Sequence, residues 1–128
     1  VFLQIDAHNG LAVYDQIVRQ VKFAVADGAL TAGELVPSVR ELARELAINP
    51  NTVARAYRQL QDDGVLDAVR GTGLAVTTTA RRQCQSERTK LIRARMRMVL
   101  EEAANSGLDP QEIEQIVRAE SNKIANRS

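Results

Sequence analysis

The stretch SVRELARELAINPNTVARAYRQLQDDG, residues 38–64, decides the fold. Ser38-Val39-Arg40-Glu41 has the pattern of a capping box, in which the serine hydroxyl takes a backbone N–H and the glutamate reaches back to the cap. A helix therefore starts at Ser38, with Leu42, Ala43 and Leu46 on its apolar face. It must be short, because Asn49-Pro50 supplies a second N-cap and a proline suited to the first helical position. In the helix that follows, Val53, Ala56, Tyr57 and Leu60 form a buried stripe. Asn51, Thr52, Arg55, Arg58 and Gln59 stay on or near the polar side, and Gly64 ends the helix. Two helices joined by three or four residues, the second polar on one face, predict a helix-turn-helix.

Working outward, an upstream helix is expected from about Leu11, with Ile17, Val21, Ala24 and Val25 at helical spacing and Gly28 at its end. Downstream, Val65 to Val69 and Leu74 to Thr77 are short apolar runs split by Arg70-Gly71-Thr72-Gly73, a hairpin with a tight turn. A helix-turn-helix followed by such a hairpin is a winged helix. The polar run from Thr78 to Gln83 reads as a linker or as the start of another helix. Beyond it, Ile92, Met96, Val99 and Ala103 recur at seam-like spacing up to Gly107. Asp109-Pro110-Gln111-Glu112 then opens a last helix striped by Ile113, Ile116, Val117 and Ile124. Two such helices bury little surface alone, so these eight apolar residues are assigned to an interface with a second subunit. The expected fold is mainly α with a small β-hairpin: a winged helix-turn-helix over residues 1–78 and a two-helix dimerisation segment over residues 79–128.

The 128 residues leave no room for a second catalytic domain of normal size. Only 3% of them are aromatic, so the core must be aliphatic. No run of about 18 apolar residues and no secretory signal is visible, which predicts a cytoplasmic protein with no membrane partner. A lone cysteine, Cys84, and a lone histidine, His8, make no metal or redox site, and no paired acid–base constellation is present to support catalysis. No cofactor is expected. Net charge is +1, yet residues 1–80 carry seven Lys/Arg against nine Asp/Glu, while residues 81–128 carry ten against seven. Binding to a polyanion by the acidic half thus requires its cations to collect locally, and Arg40, Arg44, Arg55 and Arg58 are the cluster available. The arginines and lysine between Arg81 and Arg97 read as solvated helix surface.

The ordered motifs Pro37-Ser38-Val39-Arg40-Glu41-Leu42-Ala43, Ile48-Asn49-Pro50-Asn51-Thr52-Val53-Ala54-Arg55-Ala56-Tyr57, Gly64-Val65-Leu66 and Gly71-Thr72-Gly73 resemble the GntR family of bacterial transcription regulators. The Asn-Pro-Asn-Thr-Val segment and the short C-terminal tail are most similar to its YtrA-type subgroup. The wing departs from the family pattern: Asp67-Ala68-Val69-Arg70 is poor in basic residues, and Leu74-Ala75 stands where Thr-Phe is usual.

A recognition helix sets its first turn and one face against base edges, and Asn49, Asn51, Thr52 and Arg55 occupy those positions. The resemblance implies that Arg40 also reaches the DNA, often a guanine, and that Ser38 and the N–H groups beside it hold a phosphate. Arg70, Gly71, Thr72 and Gly73 would form the wing tip. The expected function is sequence-specific DNA binding by a homodimeric repressor on an inverted-repeat operator. The alternative is a winged helix used as a protein-interaction module. The resemblance further implies control by a small molecule or stress signal, although no effector site is visible and the roughly 50 residues after the wing cannot hold a large ligand-binding domain.

Overall fold

In the computed structural model, which describes residues 3–127, the elements run α1 (Val13–Asp27), α2 (Val39–Leu46), α3 (Pro50–Asp62), β1 (Leu66–Val69), β2 (Gly73–Val76), α4 (Ala80–Asn105) and α5 (Pro110–Ala125). The chain divides into two compact units, the first ending at Arg88 and the second beginning at Thr89, so α4 belongs to both.

The first unit is built around α1 and α3. Ile17, Val21 and Val25 of α1 and Val53, Ala56, Tyr57 and Leu60 of α3 are buried, joined by Leu42 and Ala43 of α2. This core is aliphatic, as the composition requires, and Tyr57 is the one buried aromatic ring among the described residues. Helix α1 starts at Val13, after Ala12 in an extended conformation with ψ of 148°. It stops at Gly28, whose φ of 86° the left-handed cap needs. The segment before α1 is held by Gln16, almost fully buried, whose amide exchanges two 2.8 Å hydrogen bonds with the backbone of Asp6. Its nitrogen also donates to the Leu11 carbonyl, leaving the buried amide fully satisfied.

β1 and β2 pair antiparallel, from Leu66 opposite Val76 to Val69 opposite Gly73. A third edge, not evident in the sequence, lies along β2: Leu35 bridges Ala75, the Gly33 N–H donates to Val76 O, and the Val36 N–H donates to Leu74 O. The first turns of α4 complete this unit. Ala80 and Cys84 are fully buried, so the polar stretch after Thr77 is a helix start. Lys22 of α1, 4% exposed, donates to Asp63 Oδ2 at 2.8 Å and to Glu87 Oε1 at 2.7 Å, tying the end of α3 and the start of α4 to α1.

In the second unit, α4 runs on to Asn105 and turns at Gly107, and Asp109 caps α5 through the predicted box with Glu112. None of the described residues of this unit is buried.

Candidate nucleic-acid interface

The turn between α2 and α3 is short because Ala47 takes a left-handed conformation, φ 55°, and the Ile48 N–H closes back onto Ala43 O at 3.0 Å. Alanine rarely adopts that conformation, so the helix-turn-helix angle depends on the packing around it. Both helix starts have their expected caps. Ser38 Oγ accepts the Glu41 N–H at 3.1 Å while Glu41 Oε1 accepts the Ser38 N–H at 3.0 Å. Asn49 Oδ1 accepts the Asn51 N–H at 2.8 Å. The bonds from the Ser38 backbone and then its hydroxyl stabilise the Glu41 carboxylate and hold its pKa below the usual value. Tyr57 fixes the approach to α2 by donating its hydroxyl to Pro37 O at 2.7 Å.

Of the ten residues assigned to DNA, Ser38, Arg40, Asn49, Asn51, Arg55, Arg70, Gly71, Thr72 and Gly73 are exposed and Thr52 is half-buried. Asn49, Asn51, Thr52 and Arg55 lie on the first turns of α3 and its cap, with Val53 and Ala56 of the same turns buried. The Arg55 guanidinium sits over the ring of Tyr14, 3.8 Å from its centroid. The contact restrains the guanidinium by cation–π attraction, and Arg55 as a whole stays exposed. No feature of the sequence around Tyr14 marks it as the partner of Arg55. Its place on α1 beneath α3 is a long-range fact that no local pattern signals.

At the wing tip the Thr72 N–H donates to Val69 O at 2.9 Å, and Gly71 and Gly73 have φ of 75° and 140°. A side chain on either glycine would meet no atom, so these residues are required by turn conformation and not by crowding. Ser38, Thr72 and Gly73 border one cleft, which places the wing beside the start of α2. Among the described residues there is no cluster of metal-ligating side chains, and no helix is long and apolar enough to cross a membrane.

The sequence pattern described as "Bacterial regulatory proteins, gntR family" matches residues 13–76, half of the chain, and this span holds every one of the ten. The chain belongs to the GntR family. This GntR protein is 28% identical over 116 residues to the HTH-type transcriptional repressor YtrA of Bacillus subtilis strain 168, covering 91% of this chain and 89% of the relative. Among solved structures it is similar to a GntR family transcriptional regulator from Listeria monocytogenes, with 29% identity, a TM-score of 0.66, and 90% and 98% of the two chains covered. A transcriptional regulator from Oenococcus oeni matches with 32% identity and a TM-score of 0.63, over 92% and 98% of the chains. These likenesses extend past the wing, so the helical tail is part of the shared architecture.

Proposed function

We propose that this DNA-binding transcriptional regulator works in the cytoplasm as a homodimer, binds an inverted-repeat operator and represses by occluding the promoter. The observation that carries the DNA surface is the start of α3. It is capped by Asn49, polar at Asn51, Thr52 and Arg55, and backed by a buried stripe that holds the helix in place. Arg40 would read a guanine as a planar fork, Ser38 and the α2 N–H groups would hold a phosphate, and residues 70–73 would touch the flanking groove. Exposed asparagine and arginine at these positions favour nucleic acid over a protein partner, which would call for apolar groups.

The homodimer is supported by the exposed apolar residues of the second unit: Ile92, Met96, Val99, Ile116, Val117 and Ile124 are each 40–61% exposed, with Ala103 and Ile113 half-buried. A two-fold dimer would present two recognition helices about one helical turn apart, ~34 Å, matching the symmetry of an inverted repeat. Repression is the named role of the Bacillus relative of similar length.

The test is a fluorescence-anisotropy titration with the protein's own upstream DNA and a scrambled duplex, at two salt concentrations. Preferential, salt-sensitive binding by two protomers is expected, and Arg40→Ala should weaken specific binding by about 1–3 kcal/mol without changing fold or assembly. Unchanged operator affinity in Arg40→Ala removes that residue from the reading surface. No salt-sensitive binding to either duplex removes the operator reading itself.

A further inference from the structure

The cleft between the wing and α2 does not suit DNA. It is an open groove of about 580 Å³ with an apolar wall of Leu35, Val36, Pro37, Val39 and Leu74, Leu35 being 46% exposed. Its polar lining includes two carboxylates, Glu41 and Glu45, one helical turn apart on α2. Both act on the Tyr57 phenol at the same cleft, whose pKa is pushed well up by burial first and then by these two charges. No basic residue lines the space. The two carboxylates disfavour an anionic guest inside the cleft and favour an apolar one that carries positive charge.

We propose that this cleft binds a small organic cation with an apolar body, and that binding there opposes operator binding. The volume is that of an ordinary small-molecule site. The floor is rigid, because residues 33–36 are hydrogen-bonded along β2 and Pro37 O is held by Tyr57. Glu41 is kept ionised by its cap, and Glu45 is exposed on the same face of α2. The antagonism rests on the operator reading above. Ser38, Thr72 and Gly73 line the cleft and also belong to the proposed DNA surface, so a bulky guest seated between them keeps the duplex from closing on both.

The probes are tetraphenylphosphonium and tetraphenylborate, which share size and shape and differ in sign of charge. Titrated into the full-length protein without DNA and followed by NMR, the cation should bind once per protomer and shift signals of Leu35, Tyr57 and Leu74, while the borate should not. Glu45→Gln should weaken the cation by roughly twofold to fivefold, the size of an exposed ion pair. Leu35→Lys, which places a cation in the cleft, should abolish binding while leaving the fold intact. With DNA present, saturating cation should lower operator affinity of the parent protein and not of Leu35→Lys.

Equal binding of both probes, shifts confined to other surfaces, or an unaltered Glu45→Gln titration overturns the site. Shifts at these residues that follow protein concentration instead of the cation assign the cleft to a second copy and overturn it too. Binding that leaves operator affinity unchanged overturns the antagonism. Because the first titration contains no DNA, failure of the operator reading would show separately, as absence of DNA binding in the protein alone.

Discussion

The two units use the same helix-start chemistry and differ in what backs it. Up to Arg88, capped helices close over a core in which Ile17, Val21, Leu42, Val53 and Leu60 are fully enclosed. From Thr89 on, α5 carries an equally complete capping box, yet none of the unit's described residues is buried. Caps satisfy backbone groups, but burial of apolar area supplies most of the energy that makes a fold cooperative. The first unit therefore has an interior of its own, whereas Met96, Val99 and Ile116 of the second stay exposed in the single chain.

The largest test of this contrast sets one core deletion against one seam deletion. Leu60→Ala should destabilise the first unit by roughly 2–5 kcal/mol, seen as a lower denaturant midpoint at every protein concentration. Val99→Ala should leave that midpoint unchanged in dilute protein and weaken only the concentration-dependent association seen by sedimentation. A fragment ending at Arg88 should unfold cooperatively as a monomer, while one ending at Thr79 loses Ala80, Cys84 and Glu87 and with them part of the core. A dimer in the Arg88 fragment would move the interface out of the helical tail.

What was legible in the sequence follows the same division between local and long-range causes. Ser38, Asn49 and Asp109 each act within three residues, so their caps can be read from neighbouring letters and occur as expected. The stripes of α1 and α3 are also local, because a 3.6-residue period is visible along the chain. The start of α4 left two readings open, since only Ala80 and Cys84 in its first turns face the core and two small residues make a weak stripe. The Leu35 edge rests on one isolated bridge, too short to show alternation. Arg55 on Tyr14 and the Lys22 trio join distant segments, Lys22 reaching partners 41 and 65 residues away. The polar face of α3 could be anticipated for the same reason as its stripe, but not the ring that restrains Arg55.

Lys22 allows a second, smaller test, because it is the one ion-paired cation enclosed by the first unit among the described residues. Burial pulls its pKa down, but the hydrogen bonds and charges of Asp63 and Glu87 outweigh that and hold it above the ordinary 10.5. A raised pKa in the folded state stabilises fully below the unfolded value and loses that contribution as pH rises through the folded one. Lys22→Met should cost about 1–3 kcal/mol at neutral pH, below the range for a wholly enclosed pair because Asp63 and Glu87 remain 27% and 32% exposed. The difference between parent and variant should shrink only above about pH 10.5. A gap that stays constant as pH rises through and beyond this range would mean that Lys22 contributes through packing of its aliphatic stem and not through charge.

The smallest effect sharpens the contrast most, because it removes a capping acceptor at the same helix position in both units. Ser38→Ala and Asp109→Ala each remove one acceptor from a capping box, with bonds of 3.1 and 2.9 Å to the third helical residue. In the first unit the loss should appear as about 0.5–2 kcal/mol of global stability, since α2 unfolds together with the core it covers. In the second unit the same local loss has no buried core to act through. It should appear in dilute protein as faster amide exchange over the first turn of α5, with the denaturant midpoint of the first unit unmoved. At concentrations where two chains associate, Asp109→Ala should begin to lower overall stability, because the capped helix then contributes to a shared interior. If Asp109→Ala lowers the dilute midpoint as much as Ser38→Ala does, the tail is already folded cooperatively with the winged helix, and its exposed apolar residues are not what drives two chains together.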